Sequence, residues 1–134
     1  EIQYETYAKA INIEAKAMID IASKQIIPAV IKYTKSLADT VNSVTAAGAE
    51  ASVQSELLAE TSGLLSDTKV ALQKLIDLDK KSEEVPEGTE LAHYFHEEIV
   101  PVMAELRAPV DALEMIVDKE MWPMPSYGDL MFEV

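Results

Sequence analysis

The chain has 134 residues, 49% hydrophobic and 26% charged, which supplies one core and excludes a disordered acidic tail. It has no cysteine, so disulfide scaffolds, thiolate zinc sites and cysteine nucleophiles are excluded. A formal charge of −13 argues against nucleic acid and anionic membrane surfaces as partners, and no apolar run reaches the roughly 20 residues of a membrane span.

The first residue is Glu1, and helical spacing begins at once, so the sequence reads as a piece of a longer chain. From Tyr4 the apolar positions Ala8, Ile11, Ala15, Met18, Ala22, Ile26, Val30, Tyr33, Leu37, Val41 and Val44 recur in steps of three and four. That is one stripe on an α-helix, predicted over 3–46 and stopping at Gly48. Pro28 lies inside it. The missing N–H and the ring's clash with the carbonyl of Lys24 predict a kink rather than an end, because the stripe continues on both sides.

A second helix is predicted over 51–81 from Val53, Leu57, Leu64, Leu65, Leu72, Leu75 and Ile76, with Thr61 and Thr68 inside it and Gly63 at mid-helix, where it is either a close helix contact or a weak point. Ser82 to Gly88 reads as a polar loop, with Thr89 as N-cap of a third helix over 89–119. Its stripe is Leu91, Phe95, Ile99, Val102, Leu106, Val110, Leu113 and Val117, interrupted by Pro101 and Pro109, each expected to bend it. Ile26-Ile27-Pro28-Ala29-Val30 and Ile99-Val100-Pro101-Val102-Met103 are alike: either the first and third helices lie side by side with matched kinks, or two unrelated prolines fall in long helices. The fold class is all-α, an antiparallel bundle of three long, proline-kinked helices (1–120) with an extended apolar C-terminal tail (121–134). In the tail, Trp122, Tyr127, Leu130 and Phe132 form a docking strip, flanked by Met121, Met124 and Met131, while Pro123 and Pro125 hold the segment extended. Met18, Met103 and Met115 are assigned to the core.

His93 and His96 are the two histidines, near Glu90 and Glu97. Glu90-x-x-His93 reproduces one unit of a dimetal carboxylate site, which needs a second such unit and a glutamate from each of two other helices, but His96 has His93 rather than a glutamate three positions before it, and a solvated polar face is the stronger reading. Glu97 and Glu98 beside the histidines oppose a phosphotransfer role, and Arg107 is the sole arginine, too little for a phosphate clamp. No catalytic, cofactor-binding or metal residue is assigned in this chain.

Three stretches carry a family resemblance: Ile26-Ile27-Pro28-Ala29-Val30-Ile31-Lys32-Tyr33-Thr34-Lys35 with Leu37-Ala38-Asp39-Thr40; Met103-Ala104-Glu105-Leu106-Arg107-Ala108-Pro109-Val110-Asp111; and Trp122-Pro123-Met124-Pro125-Ser126-Tyr127-Gly128-Asp129-Leu130-Met131-Phe132. In this order, over essentially the whole chain, they resemble the C-terminal helical region of type III glutamine synthetases, the large bacterial form. Met124 stands where many relatives are expected to carry an aromatic. The resemblance implies a parent that joins ammonia to glutamate with ATP and Mg²⁺ or Mn²⁺ in the cytoplasm, as a ring-shaped homo-oligomer. It also implies that the catalytic groups lie upstream, so that this segment is a non-catalytic assembly domain meeting the catalytic domain and neighbouring subunits. The alternative is a stand-alone acidic helical protein-interaction module.

Overall fold

A computed structural model describes residues 2–124, and among these every regular element is a helix. The first rod is α1 (Ile2–Ile21), a π turn (Ala22–Ile26) and α2 (Ile27–Ala46). The second is α3 (Ser52–Lys81), followed by a 3₁₀ turn (Ser82–Glu84). The third is α4 (Thr89–Tyr94), a π turn (Phe95–Ile99) and α5 (Val100–Ile116).

Each π turn ends just before a proline, for a local reason. Ile27, preceding Pro28, donates its N–H to the Ala22 carbonyl, and Val100, preceding Pro101, donates to Phe95. Both bonds reach back five residues. The wider turn moves the carbonyl that the proline ring would strike, and the rod continues. Pro109 is also buried inside α5, which passes through it without a π turn.

The link between the first two rods closes at Gly48. Its φ of +90° suits glycine, and the bonds Gly48 N–H to Thr45 O (3.0 Å) and Ala49 N–H to Val44 O (3.1 Å) consume the last carbonyls of α2. At the second link Gly88, with φ of +97°, takes the cap position, and Thr89 is the first helical residue. The expected Thr89 cap is corrected accordingly: the glycine turns the chain one residue earlier and no side chain caps α4. Gly63 faces open space, with no atom within 4 Å of where its Cβ would sit, so it is not a close helix contact.

The third rod ends at Ile116, three residues before the predicted boundary. Val117 is extended (ψ 141°), and Asp118 then turns the chain: its carboxylate accepts from Glu120 N–H (2.8 Å), and its carbonyl accepts from Met121 (2.9 Å) and Trp122 (3.0 Å).

Cross-rod contacts set directions and levels. Tyr7 meets His96, Glu14 meets Arg107 and Tyr33 meets Ile116, so the first and third rods advance together. Tyr94 meets Leu78 and Lys74 meets Glu105, so the second rod runs against the third. The two π turns therefore lie at different heights: Phe95–Ile99 sits beside the early part of α1, whereas Ala22 shares a groove with Leu106 and Val110. The similar proline segments are not matched across the rods.

The main core joins Ala8, Ala15 and Ala22 to Leu72, Leu75, Phe95, Ile99, Val102, Met103 and Leu106, all buried. Small alanines on the first rod leave room for the large side chains of the other two. A second cluster, Ile26, Val30, Leu113 and Val117, lies above it. The third rod stops level with Tyr33, so among the described residues the last part of α2 and the first part of α3 pack only on each other. Val53, expected on the buried face, is 67% exposed in this two-rod overhang. Met115, expected in the core, is 86% exposed on the outer side of the last turn of α5; Met103 is buried as expected and Met18 is partly so.

Candidate functional site

Three places on the described surface combine shape with chemistry. The first is a cleft of about 370 Å³ at the lower end of the rods, lined by Tyr4, Tyr7, Ala92, His93 and His96. Tyr4 and Tyr7 come from the first turns of α1. Ala92 and His93 lie on α4, and His96 in the π turn that follows. The Tyr7 hydroxyl and His96 Nδ1 are 3.0 Å apart, and their rings stand 6.1 Å apart at 58°. His93 is 61% exposed at its side chain, with Nδ1 4.0 Å from Glu97. Among the described residues no three histidine or carboxylate side chains converge as a metal set would, and Glu90-x-x-His93 does not grow into a larger cluster. Pairing of Tyr7 with His96 was not legible, since 89 residues separate them.

Away from the cleft's lining, a polar group is buried between the rods. Asp79 is 7% exposed, and its Oδ2 accepts from Lys16 Nζ at 2.8 Å while Oδ1 has no partner. Tyr94 donates its hydroxyl to the Leu78 carbonyl at 2.6 Å. Burial raises the Tyr94 pKa above its ordinary value, with the negative charges of Glu98 and Asp79 adding to the effect. A signal for Asp79 existed: positions 68, 72, 75 and 79 share one helical stripe, so a carboxylate there faces the neighbouring rods. These groups tie the second rod to the first and the third, with Asp79 Oδ1 left unpaired among the described residues.

The second place is a groove of about 180 Å³ between the first and third rods, where Met18, Ile21, Ala22, Ile26, Leu106 and Val110 meet Met124. Trp122, half-buried, packs on the cluster of Ile26, Val30, Leu113 and Val117. Of the expected docking strip, Trp122 therefore lies on the rods; Tyr127, Leu130 and Phe132 fall outside the described residues. The turn at Asp118 delivers Trp122 and Met124 to these positions. The third place is a shallow groove of about 560 Å³ where Ile27 and Ile31 face Leu65 and Val70. No helix among the described residues is long and apolar enough to cross a membrane.

Comparison with known proteins adds what the geometry cannot. A family model described as the glutamine synthetase C-terminal domain matches residues 1–45. A type-3 glutamine synthetase of Dictyostelium discoideum is 31% identical over 138 residues, 98% of this chain. Glutamine synthetases of Bacteroides fragilis (strain YCH46) and Butyrivibrio fibrisolvens are 27% and 26% identical over 98% and 100% of it. In each case the match spans 19% of the relative's own length. The chain thus matches the glutamine synthetase C-terminal domain on its first rod and is similar along all three rods to a type-3 glutamine synthetase, of whose length it spans about a fifth.

Proposed function

We propose that this chain is the non-catalytic C-terminal assembly domain of a large glutamine synthetase, whose remaining four fifths joins ammonia to glutamate with ATP and Mg²⁺ or Mn²⁺. The observation that carries the reading is similarity over 98% of the chain to a type-3 glutamine synthetase about five times as long. The residue inventory supports the non-catalytic part: one arginine, no cysteine and two histidines whose neighbours are acidic. In this reading residues 1–120 form an antiparallel three-rod bundle that bends at the π turns before Pro28 and Pro101, and 121–134 is the docking tail. Trp122, Tyr127, Leu130 and Phe132 bear on the bundle, the catalytic body or a neighbouring subunit of a cytoplasmic homo-oligomeric ring, with no nucleic acid or membrane among its partners. Support for the tail's role comes from Trp122 and Met124, already seated on the rods, and from the roughly 1.5–3 kcal/mol lost by each large apolar side chain left in water.

The test is deletion of 121–134 from the full-length enzyme. Sedimentation should show loss of the full oligomer, while the active-site residues stay unaltered. An unchanged oligomer with unchanged thermal stability would show that the tail is not an anchor.

A further inference from the structure

We infer that the cleft of Tyr4, Tyr7, Ala92, His93 and His96 is the seat on which the preceding part of the same polypeptide docks. This rests on the reading above, that the chain is the C-terminal fifth of a larger enzyme. The family model is that of a C-terminal domain, and 81% of each relative's length lies outside the match, so the bulk of such a protein joins at the start of α1. Tyr4 is two residues beyond Ile2, where α1 begins, and at about 1.5 Å of rise per residue it sits within one turn of that junction. The cleft thus lies at the entry point, and a tethered partner needs little area to occupy it because its effective concentration is high.

The lining chemistry fits a protein partner. In a chain with 24 acidic residues and a charge of −13, the five residues of the cleft include no carboxylate. Two of the five tyrosines and both histidines are gathered there. Tyr4 holds 46% of its surface in solvent, on a ring that covers apolar surface at small entropic cost. The Tyr7 hydroxyl and His96 Nδ1 already pair with each other, so a partner closing over them has His96 Nε2 left to satisfy with a polar group of its own. The groove of Pro101 and Val102 is different: Lys74, Asp77, Lys81, Glu97, Glu98 and Glu105 line it, and covering it would strip water from six charges.

The experiment uses the full-length enzyme carrying the photo-crosslinking residue p-benzoylphenylalanine in place of Tyr4, with diethylpyrocarbonate labelling of the unmodified enzyme alongside. Crosslinks are expected to residues upstream of position 1 in the same polypeptide, and His93 should acylate at least fivefold more slowly than free N-acetylhistidine. Acylation less than fivefold slowed would overturn the inference by showing the cleft open, as would crosslinks confined to residues 1–134 of a second copy. Neither result bears on the tail deletion, whose outcome decides the assembly reading separately. If the tyrosine replacement weakens folding, the acylation of the unmodified enzyme still decides.

Discussion

Gly63 offers a clean perturbation because its surroundings contribute nothing. It lies mid-way along α3, and no heavy atom stands within 4 Å of a Cβ built on it. The same is true of Gly48, where φ is +90°. Sterically the two sites are equivalent and differ only in backbone conformation. Gly63→Ala should therefore gain the helix propensity of alanine, about 1 kcal/mol. Gly48→Ala should lose about 1 kcal/mol, because a side chain at positive φ is strained. With unfolding entropy near 2.1 cal/mol/K per residue, about 1 kcal/mol in 134 residues moves the thermal midpoint by about 3.5 °C. Thermal unfolding followed by circular dichroism should show the midpoint rising for the first variant and falling for the second. A neutral or destabilising Gly63→Ala in the isolated chain would refute the open, helical environment assigned to it. Destabilisation seen only in the full-length enzyme would place another part of that enzyme against this face.

The buried threonines form a second pair of opposites: Thr61 Oγ1 is buried without a partner, whereas Thr68 Oγ1 donates to the Leu64 carbonyl at 2.8 Å, so Thr61→Val should stabilise by about 1 kcal/mol and Thr68→Val should not, as read by urea unfolding. Tyr94→Phe removes the bond to Leu78 and should cost about 1 kcal/mol at neutral pH. Because the folded Tyr94 pKa lies above the ordinary 10.0, its contribution is complete below pH 10 and fades as pH rises through the folded value; the phenylalanine variant should lack that alkaline loss in a stability-against-pH series. Trp122→Ala uncovers the cluster of Ile26, Val30, Leu113 and Val117 and should lower stability by about 2 kcal/mol, less than for a fully buried tryptophan.

Why some of this was legible in the sequence and some not follows from what a helical stripe encodes. The stripe reports which face is apolar, and it placed the second helix to within one residue of its start at Ser52. The π turns were also written there, although the reading named only kinks. Met18, Ala22, Ile26 and Val30 advance by three successive fours, which would rotate an α-helix out of phase unless one wider turn absorbed the drift. Leu91, Phe95 and Ile99 do the same before Pro101. What a stripe does not report is where a neighbouring rod ends. Val53 is on an apolar face with no third rod opposite it, and the early stop at Ile116 depends on the turn at Asp118, a local hydrogen-bonding feature without periodicity. The cleft was half visible: the two histidines lie three positions apart on one helix, but the tyrosines that complete it belong to the far end of the chain.

The short third rod gives the domain a direction. Below Tyr33 three helices share a core in which Ala15, Leu75, Ile99 and Leu113 have no exposed surface, while above it Leu37 and Ala51 are buried less completely. Backbone amides should therefore open in order from the tip downwards, the upper hairpin melting locally at a free energy well below that of the base. A body attached at the base would leave that tip as the outermost and most easily unzipped part of the assembly, the place where native-state hydrogen exchange would begin and a protease would first cut.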